Sequence, residues 1–214
     1  MLNDPVATLD DALLRTVAAL GTVRTFPPRT VLVTEDDQSD AMYIVLKGRV
    51  KAYGADAEGH EVVYGTQGPG EYFGEMMLDG GPRSASVMTV EATTVAVIPG
   101  ADVRTFLARN PEFAFHLVRK LIALLRSRTQ QVKSLALEDV YGRVVRLLRE
   151  KAVELPDASG ARQLTERWTQ QDIAERVGAS REMVSRVFKP LLEGGYVEVR
   201  QGHIVLLKKL PARW

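Results

Sequence analysis

Residues 73–87 read FGEMMLDGGPRSASV, two acids, a base and two serines set among glycines. Arg83 brings a planar, permanently charged guanidinium at the mouth of a sheet segment. Gly-Gly-Pro precedes it and Ser-Ala-Ser follows it, so two small hydroxyl donors stand beside the guanidinium. On these residues alone, Arg83 reads either as a solvated loop charge or as the holder of an anion.

A second constellation lies in 168–195, WTQQDIAERVGASREMVSRVFKPLLEGG. Thr169 is a good N-cap with Asp172 three residues on, a capping-box-like arrangement. QQDIAERV then predicts a short helix that ends at Gly178, and Ser180 caps a second one. Ile173, Ala174, Val177, Val184, Val187 and Leu191 form the shared apolar face, which makes a helix-turn-helix. The other face of the second helix carries Arg181, Glu182, Ser185, Arg186 and Lys189. Its N-terminal end is the end that enters a major groove, where arginine reads guanine and glutamate accepts from cytosine. With Thr169, Gln170 and Ser180 these residues form the expected DNA-facing set. A plain helical hairpin with a solvated polar face is the alternative. GGYVEVRQGHIVLL follows as two strands about a Gln-Gly turn, which adds a wing. Pro190 is expected to kink or shorten the second helix away from its reading end.

The elements that must carry these residues change character along the chain. LDDALLRTVAAL, residues 9–20, has helical spacing after acidic residues. From about 23 to 98, short β-rich runs (TVLVT, AMYIVLKGRVKAY, EVVYGT, ASVMTVEATTVAVI) alternate with Gly, Pro and Asp, the pattern of a sandwich or barrel. VKAYGADAEGHEVVYG reads as a hairpin. ADVRTFLARN is a short helix. The segment from Pro111 then runs nearly thirty residues without glycine or internal proline. Its apolar positions Val118, Leu121, Leu125, Val132 and Leu135 form a heptad seam interrupted at Arg128, which suits pairing with a second copy. DVYGRVVRLLREKAVEL is a further amphipathic helix and PDASGARQ a loop.

Composition narrows the classes. The 214 residues are 45% hydrophobic and 26% charged with a net charge of +1, an ordinary globular balance that leaves room for a local basic patch. With no cysteine, disulfides, thiolate catalysis, iron–sulfur clusters and cysteine zinc sites are excluded. His60, His116 and His203 are scattered singly and read as surface or strand residues, with no metal site expected. No apolar run approaches the ~20 residues of a membrane helix. The opening MLNDPVATLDDALL has acids where a signal peptide has basic residues, so a cytoplasmic protein without membrane contact is expected. No nucleophile–base pair or P-loop is evident, so no enzyme activity is expected.

Together the motifs GEYFGEMMLDGGPRSAS, LALEDVYGRV and VGASREMVSRV resemble the cyclic-AMP receptor protein/FNR family over nearly the whole chain. The resemblance implies an α+β fold: a cyclic-nucleotide-binding double-stranded β-roll over 1–110, a dimerisation helix over 111–138, and a winged helix-turn-helix DNA-binding domain over 139–214. It makes Arg83 the partner of a cyclic phosphate, Glu75 the partner of the ribose, and Gly74 and Ser84 further contacts. LALEDVYGRV resembles the family's hinge. Arg181, Glu182 and Arg186 match its base-reading positions, which implies a palindromic TGTGA-like operator for a homodimer. The cassette is about two residues shorter than the family's between Glu75 and Arg83. Where the cyclic-AMP sensor has a threonine–serine pair for the adenine, this chain aligns Arg128 and Thr129, and Tyr64 falls near the base. Cyclic AMP, cyclic GMP and cyclic di-GMP are therefore all candidate regulatory ligands, with no cofactor. The expected function is a nucleotide-gated transcription regulator with double-stranded DNA and RNA polymerase as partners. The alternatives are a ligand-independent DNA-binding regulator of the same fold, or a nucleotide-regulated enzyme or scaffold.

Overall fold

The computed structural model describes residues 11–59, 61–155 and 160–211. His60, the first ten residues and part of the PDASGARQ loop, all read above, lie outside them. The chain divides into two compact units, Leu2–Arg126 and Ser127–Trp214, with the boundary inside one long helix.

The first unit begins with α1 (Asp11–Ala18) and continues as eight strands: β1 (Thr22–Phe26), β2 (Val31–Val33), β3 (Ala41–Lys47), β4 (Val50–Ala55), β5 (Glu61–Gln67), β6 (Tyr72–Phe73), β7 (Ser86–Thr89) and β8 (Thr93–Pro99). They form two antiparallel four-stranded sheets, ordered β1-β8-β3-β6 and β2-β7-β4-β5. Side chains alternate across a strand. Met42, Ile44, Tyr72, Ala96 and Ile98 therefore pack in one cluster with Val103, Phe106 and Phe113. Their strand neighbours Val45, Phe73 and Val95 pack in another with Val33, Val50 and Val87 of the second sheet. Helices α2 (Gly100–Arg109) and α3 (Pro111–Leu137) follow. The hairpin read from VKAYGADAEGHEVVYG is β4–β5, while β1 and the two-residue β6 were not read from sequence.

The second unit holds α4 (Val140–Lys151), β9 (Ala152–Glu154), β10 (Arg162–Leu164), α5 (Gln170–Val177), α6 (Arg181–Glu193), β11 (Val197–Arg200) and β12 (His203–Leu206). Val144, Leu148, Leu164, Ile173, Val184, Phe188 and Leu191 share its core. The sheet order is β11-β12-β10-β9. Two expectations are corrected here. The amphipathic helix expected through Leu155 stops at Lys151, because residues 152–154 pair with 162–164, part of the segment read as loop. α6 is not cut short at Pro190 but runs on to Glu193. The carbonyl that loses its donor there belongs to exposed Arg186 and can turn to water.

Candidate nucleotide cassette and DNA-reading helix

The cassette runs from β6 through Gly74 into a 3-10 turn, Glu75–Asp79, and on to β7. Gly74 has φ 84, and a Cβ there would lie 2.8 Å from Arg83 Nη1 and 2.9 Å from the Ala41 carbonyl. Only glycine satisfies both demands. Arg83 is 4% exposed. Its Nε donates to Ser39 Oγ at 2.7 Å, Nη1 to the Gly74 carbonyl at 2.9 Å and Nη2 to the Ala41 carbonyl at 2.6 Å. Its backbone is bonded to Asp36 and Asp37. The guanidinium is thus buried against neutral oxygens. The neighbouring acid, Asp40, is taken by Arg104 through two hydrogen bonds of 2.9 and 3.0 Å. That pairing holds the Asp40 carboxyl below its ordinary value, with the Arg83 charge adding to the effect.

Glu75 is buried and lies 3.5 Å from the ammonium of Lys120 on α3. Lys120 also donates to the Tyr72 carbonyl and sits 3.7 Å from the centre of the Tyr72 ring. Burial pushes its pKa down, and the Glu75 charge opposes that shift. The Tyr72 hydroxyl is bonded to His116 Nδ1 at 3.1 Å, and burial pushes this phenol up. The sequence reading missed Lys120. The available signal was its register, since it continues the Phe113–Leu117 buried face at steps of four and three.

Of the other residues proposed for the ligand, Ser84 is exposed and its hydroxyl meets Met76 Sδ at 2.9 Å. Tyr64 lies on β5 with its hydroxyl against Gly54. Gly74, Glu75, Arg83 and Ser84 therefore share one short segment. Arg128 and Thr129 lie on α3 in the second compact unit, where Arg128 Nη1 donates to Gln131 Oε1 at 3.0 Å.

In that second unit Thr169 and Asp172 form a full capping box, each side chain bonding the other's backbone N–H. Gly178 closes α5 at φ 64, the left-handed position that favours glycine. Ser180 caps α6 by accepting from Met183 N at 3.2 Å. Arg181, Glu182, Ser185, Arg186 and Lys189 are all exposed on α6, as are Thr169 and Ser180, and Gln170 is half-buried. The Glu182 carboxyl is held below its ordinary value, first by its own backbone N–H, then by Ser180, with Arg181 and Arg186 adding. It is therefore an ionised acceptor at neutral pH. β11 and β12 form the wing, turning at Gln201 and Gly202.

The segment LALEDVYGRV holds a network that sequence reading did not resolve. Arg143 donates to the carbonyls of Glu138, Val177 and Gly178. Arg146 donates to Ser134 and Glu138, and Ser134 donates to Glu138. These contacts join the end of α3, the start of α4 and the turn before α6.

Comparison with known proteins identifies both domains. Residues 23–110 match the family model for the cyclic nucleotide-binding domain, and 142–211 match that for the Crp-like helix-turn-helix domain. A CRP-like cAMP-activated global transcriptional regulator of Mycobacterium tuberculosis is 31% identical over 85% of this chain and 82% of its own length. Vfr, a cAMP-activated global transcriptional regulator of Pseudomonas aeruginosa, is 33% identical over 83% of this chain and 85% of its own. The solved structure of CLP, a c-di-GMP responsive global regulator of Xanthomonas campestris, superposes with a TM-score of 0.81 at 29% identity, covering 92% of this chain and 100% of that one. A cyclic nucleotide-binding domain followed by a Crp-like helix-turn-helix domain, with regulators of this kind matched across most of their length, places the chain in the cyclic-AMP receptor protein/FNR family of transcription regulators.

Proposed function

We propose that this chain is a homodimeric transcription regulator in which a cyclic nucleotide or cyclic dinucleotide at the cassette gates binding to a palindromic, TGTGA-like DNA site. The observation that carries the reading is buried Arg83, bonded to three neutral oxygens. A desolvated cation so placed gains from an anion that brings the missing countercharge. The phosphate of the ligand meets Arg83, its sugar meets Glu75, and Gly74 and Ser84 add donors. Tyr64, Arg128 and Thr129 set base preference. The names of the relatives support cyclic AMP and cyclic di-GMP as first candidates, with cyclic GMP beside them because arginine recognises guanine.

The working parts are a sensing domain over 1–110, a dimerisation helix over 111–138 and a DNA-binding domain over 139–214. The seam of α3 supports self-association, since Val118, Leu121, Leu125, Val132 and Leu135 are 40–67% exposed in the single chain. Thr169, Gln170, Ser180, Ser185 and Lys189 hold DNA while Arg181, Glu182 and Arg186 read bases. The protein acts in the cytoplasm with RNA polymerase and has no catalytic role of its own. Among the described residues no helix is long and apolar enough to cross a membrane.

The test is titration calorimetry with the three nucleotides, followed by anisotropy of a labelled TGTGA palindrome with and without each. One nucleotide should bind and raise operator affinity at least tenfold. The same affinity with and without all three favours the second reading, a ligand-independent regulator. That reading draws support from the partners already in place: Ser39, Ala41 and Gly74 around Arg83, and Lys120 beside Glu75.

A further inference from the structure

Met76 and Met77 are neighbours in the chain with opposite surroundings. Met77 is buried in the cluster that holds Ile44, Tyr72 and Ile98, whereas Met76, one step back along the 3-10 turn, is 45% exposed. Elsewhere among the described residues of the first unit, Met42 is buried and Met88 half-buried, so Met76 is the thioether there that faces solvent. An exposed apolar side chain is ordinary in itself. The partner of this one is not: Ser84 Oγ donates to Met76 Sδ at 2.9 Å across the cassette loop. A thioether is a weak acceptor, so it holds the Ser84 hydroxyl without fixing it. A phosphate oxygen is a charged acceptor and takes such a proton in preference to sulfur. In the unmodified chain Met76 therefore parks the Ser84 hydroxyl in a place from which an anionic ligand can draw it.

An exposed thioether is also a site of oxidation, and the oxidant class is a peroxide. A lone pair of Sδ attacks one peroxide oxygen. The S–O bond forms as the O–O bond breaks, and the departing hydroxide takes up the proton of the transferred oxygen and leaves as water. The sulfur loses two electrons and the peroxide gains them. The product sulfoxide is polar, and its oxygen is a much stronger acceptor than the sulfur it stands on. We infer that Met76 is an oxidation site that switches the cassette: its sulfoxide retains the Ser84 hydroxyl and sets a partial negative charge beside the anion, so nucleotide affinity falls until the sulfoxide is reduced. The inference rests on the proposed nucleotide site and adds a regulation to it. Met77, the adjacent residue, is the internal comparison, since burial shields the same chemical group one position away.

The experiment treats the full chain with dilute hydrogen peroxide and follows each methionine by peptide mass mapping. Met76 should gain an oxygen well ahead of Met77 and Met42. Titration calorimetry before and after should show the affinity for whichever of cyclic AMP, cyclic GMP and cyclic di-GMP binds falling about tenfold, the effect of losing a hydrogen bond to a charged group. Methionine sulfoxide reductase should return it. Met183 on α6 is exposed as well and is oxidised under the same conditions. Met76→Leu separates the two, because it keeps Met183 and removes the proposed site, and its nucleotide affinity should be the same before and after peroxide. Oxidation of Met77 or Met42 as fast as Met76, an affinity unchanged once Met76 is fully oxidised, or an equal loss in Met76→Leu overturns the inference. Failure of unoxidised wild type to bind any of the three nucleotides overturns the proposed nucleotide site, and the inference with it.

Discussion

Arg143 Nε donates to the carbonyl of Val177 at 2.8 Å, tying the first turn of α4 to the last residue of α5. Two further bonds, to Glu138 and Gly178, make this one side chain common to the end of α3 and to the turn that sets the start of α6. Helix C-termini present carbonyls without internal donors, so an arginine among them is favourable by hydrogen bonding and by charge.

Arg143→Ala should therefore lower the stability of the DNA-binding unit by about 1–3 kcal/mol, the range for losing bonds from a charged donor. Its loss should also weaken operator binding, although Arg143 is not among the proposed DNA contacts. Urea unfolding and anisotropy on the palindrome check both effects. Unchanged DNA affinity in a destabilised variant would confine Arg143 to a local role.

Arg83→Ala should be destabilising even without ligand, because Ser39, Ala41 and Gly74 lose a shared donor in a buried place. A fall of about 1–3 kcal/mol in ligand-free stability is expected, together with loss of nucleotide binding. Arg83→Lys keeps the charge but not the fork, and should recover little of either. Thermal unfolding of the ligand-free variants decides the matter. A melting temperature equal to wild type would contradict the structural half of this double role.

The difference between the two sites in how far sequence exposed them is physical. The helix-turn-helix was legible because its signals are local: the Thr169–Asp172 box, Gly178 and the Ser180 cap each act within one turn of helix. Arg83 was legible as a cation among small residues, but its partners were not, since Ser39 and Ala41 are brought to it by the sheet rather than by the chain. Lys120 and Glu75 are likewise joined only by packing of α3 on β6. The three-residue strands β9 and β10 escaped because their pairing, not their pattern, makes them strands.

Glu71 gives a pH prediction. Burial pushes its carboxyl above the ordinary 4.5, and the bond from Gly68 N at 2.6 Å only partly opposes this. Between the ordinary and the raised value the folded chain holds a proton that the unfolded chain has lost. Its contribution therefore favours folding at the acid side, and a penalty is fully present once pH has risen through the folded pKa. Glu71→Gln keeps an acceptor for Gly68 and removes the ionisation. The variant should gain stability over wild type at pH 7 and show a smaller gain at pH 4, measured by urea unfolding at both. A larger gain at pH 4 would reverse the sign and refute the account.

Arg181→Ala should cost about 1–3 kcal/mol at one base position and relax specificity there. The arginine is exposed at the first position of α6, and the proposed base contact would fall on one position, whereas a phosphate contact would weaken binding to all sequences alike. Competition with operators substituted one base pair at a time separates the two. Equal weakening on operator and random DNA would assign Arg181 to the backbone.

Arg128 interrupts an apolar seam whose neighbours Leu125 and Val132 are 67% and 66% exposed in the single chain. A polar residue at such a position lowers stability and is kept for register or for a ligand. The two roles separate in Arg128→Ala. If Arg128 recognises the base, the variant should shift the relative affinities for cyclic AMP, cyclic GMP and cyclic di-GMP by about tenfold, the effect of losing one good base contact, with little change in self-association. If it sets register, sedimentation should show a tighter dimer while the nucleotide ranking stays as it was. Leu125→Asp supplies the control, since a charge in the apolar part of the seam should weaken the dimer whichever role Arg128 plays.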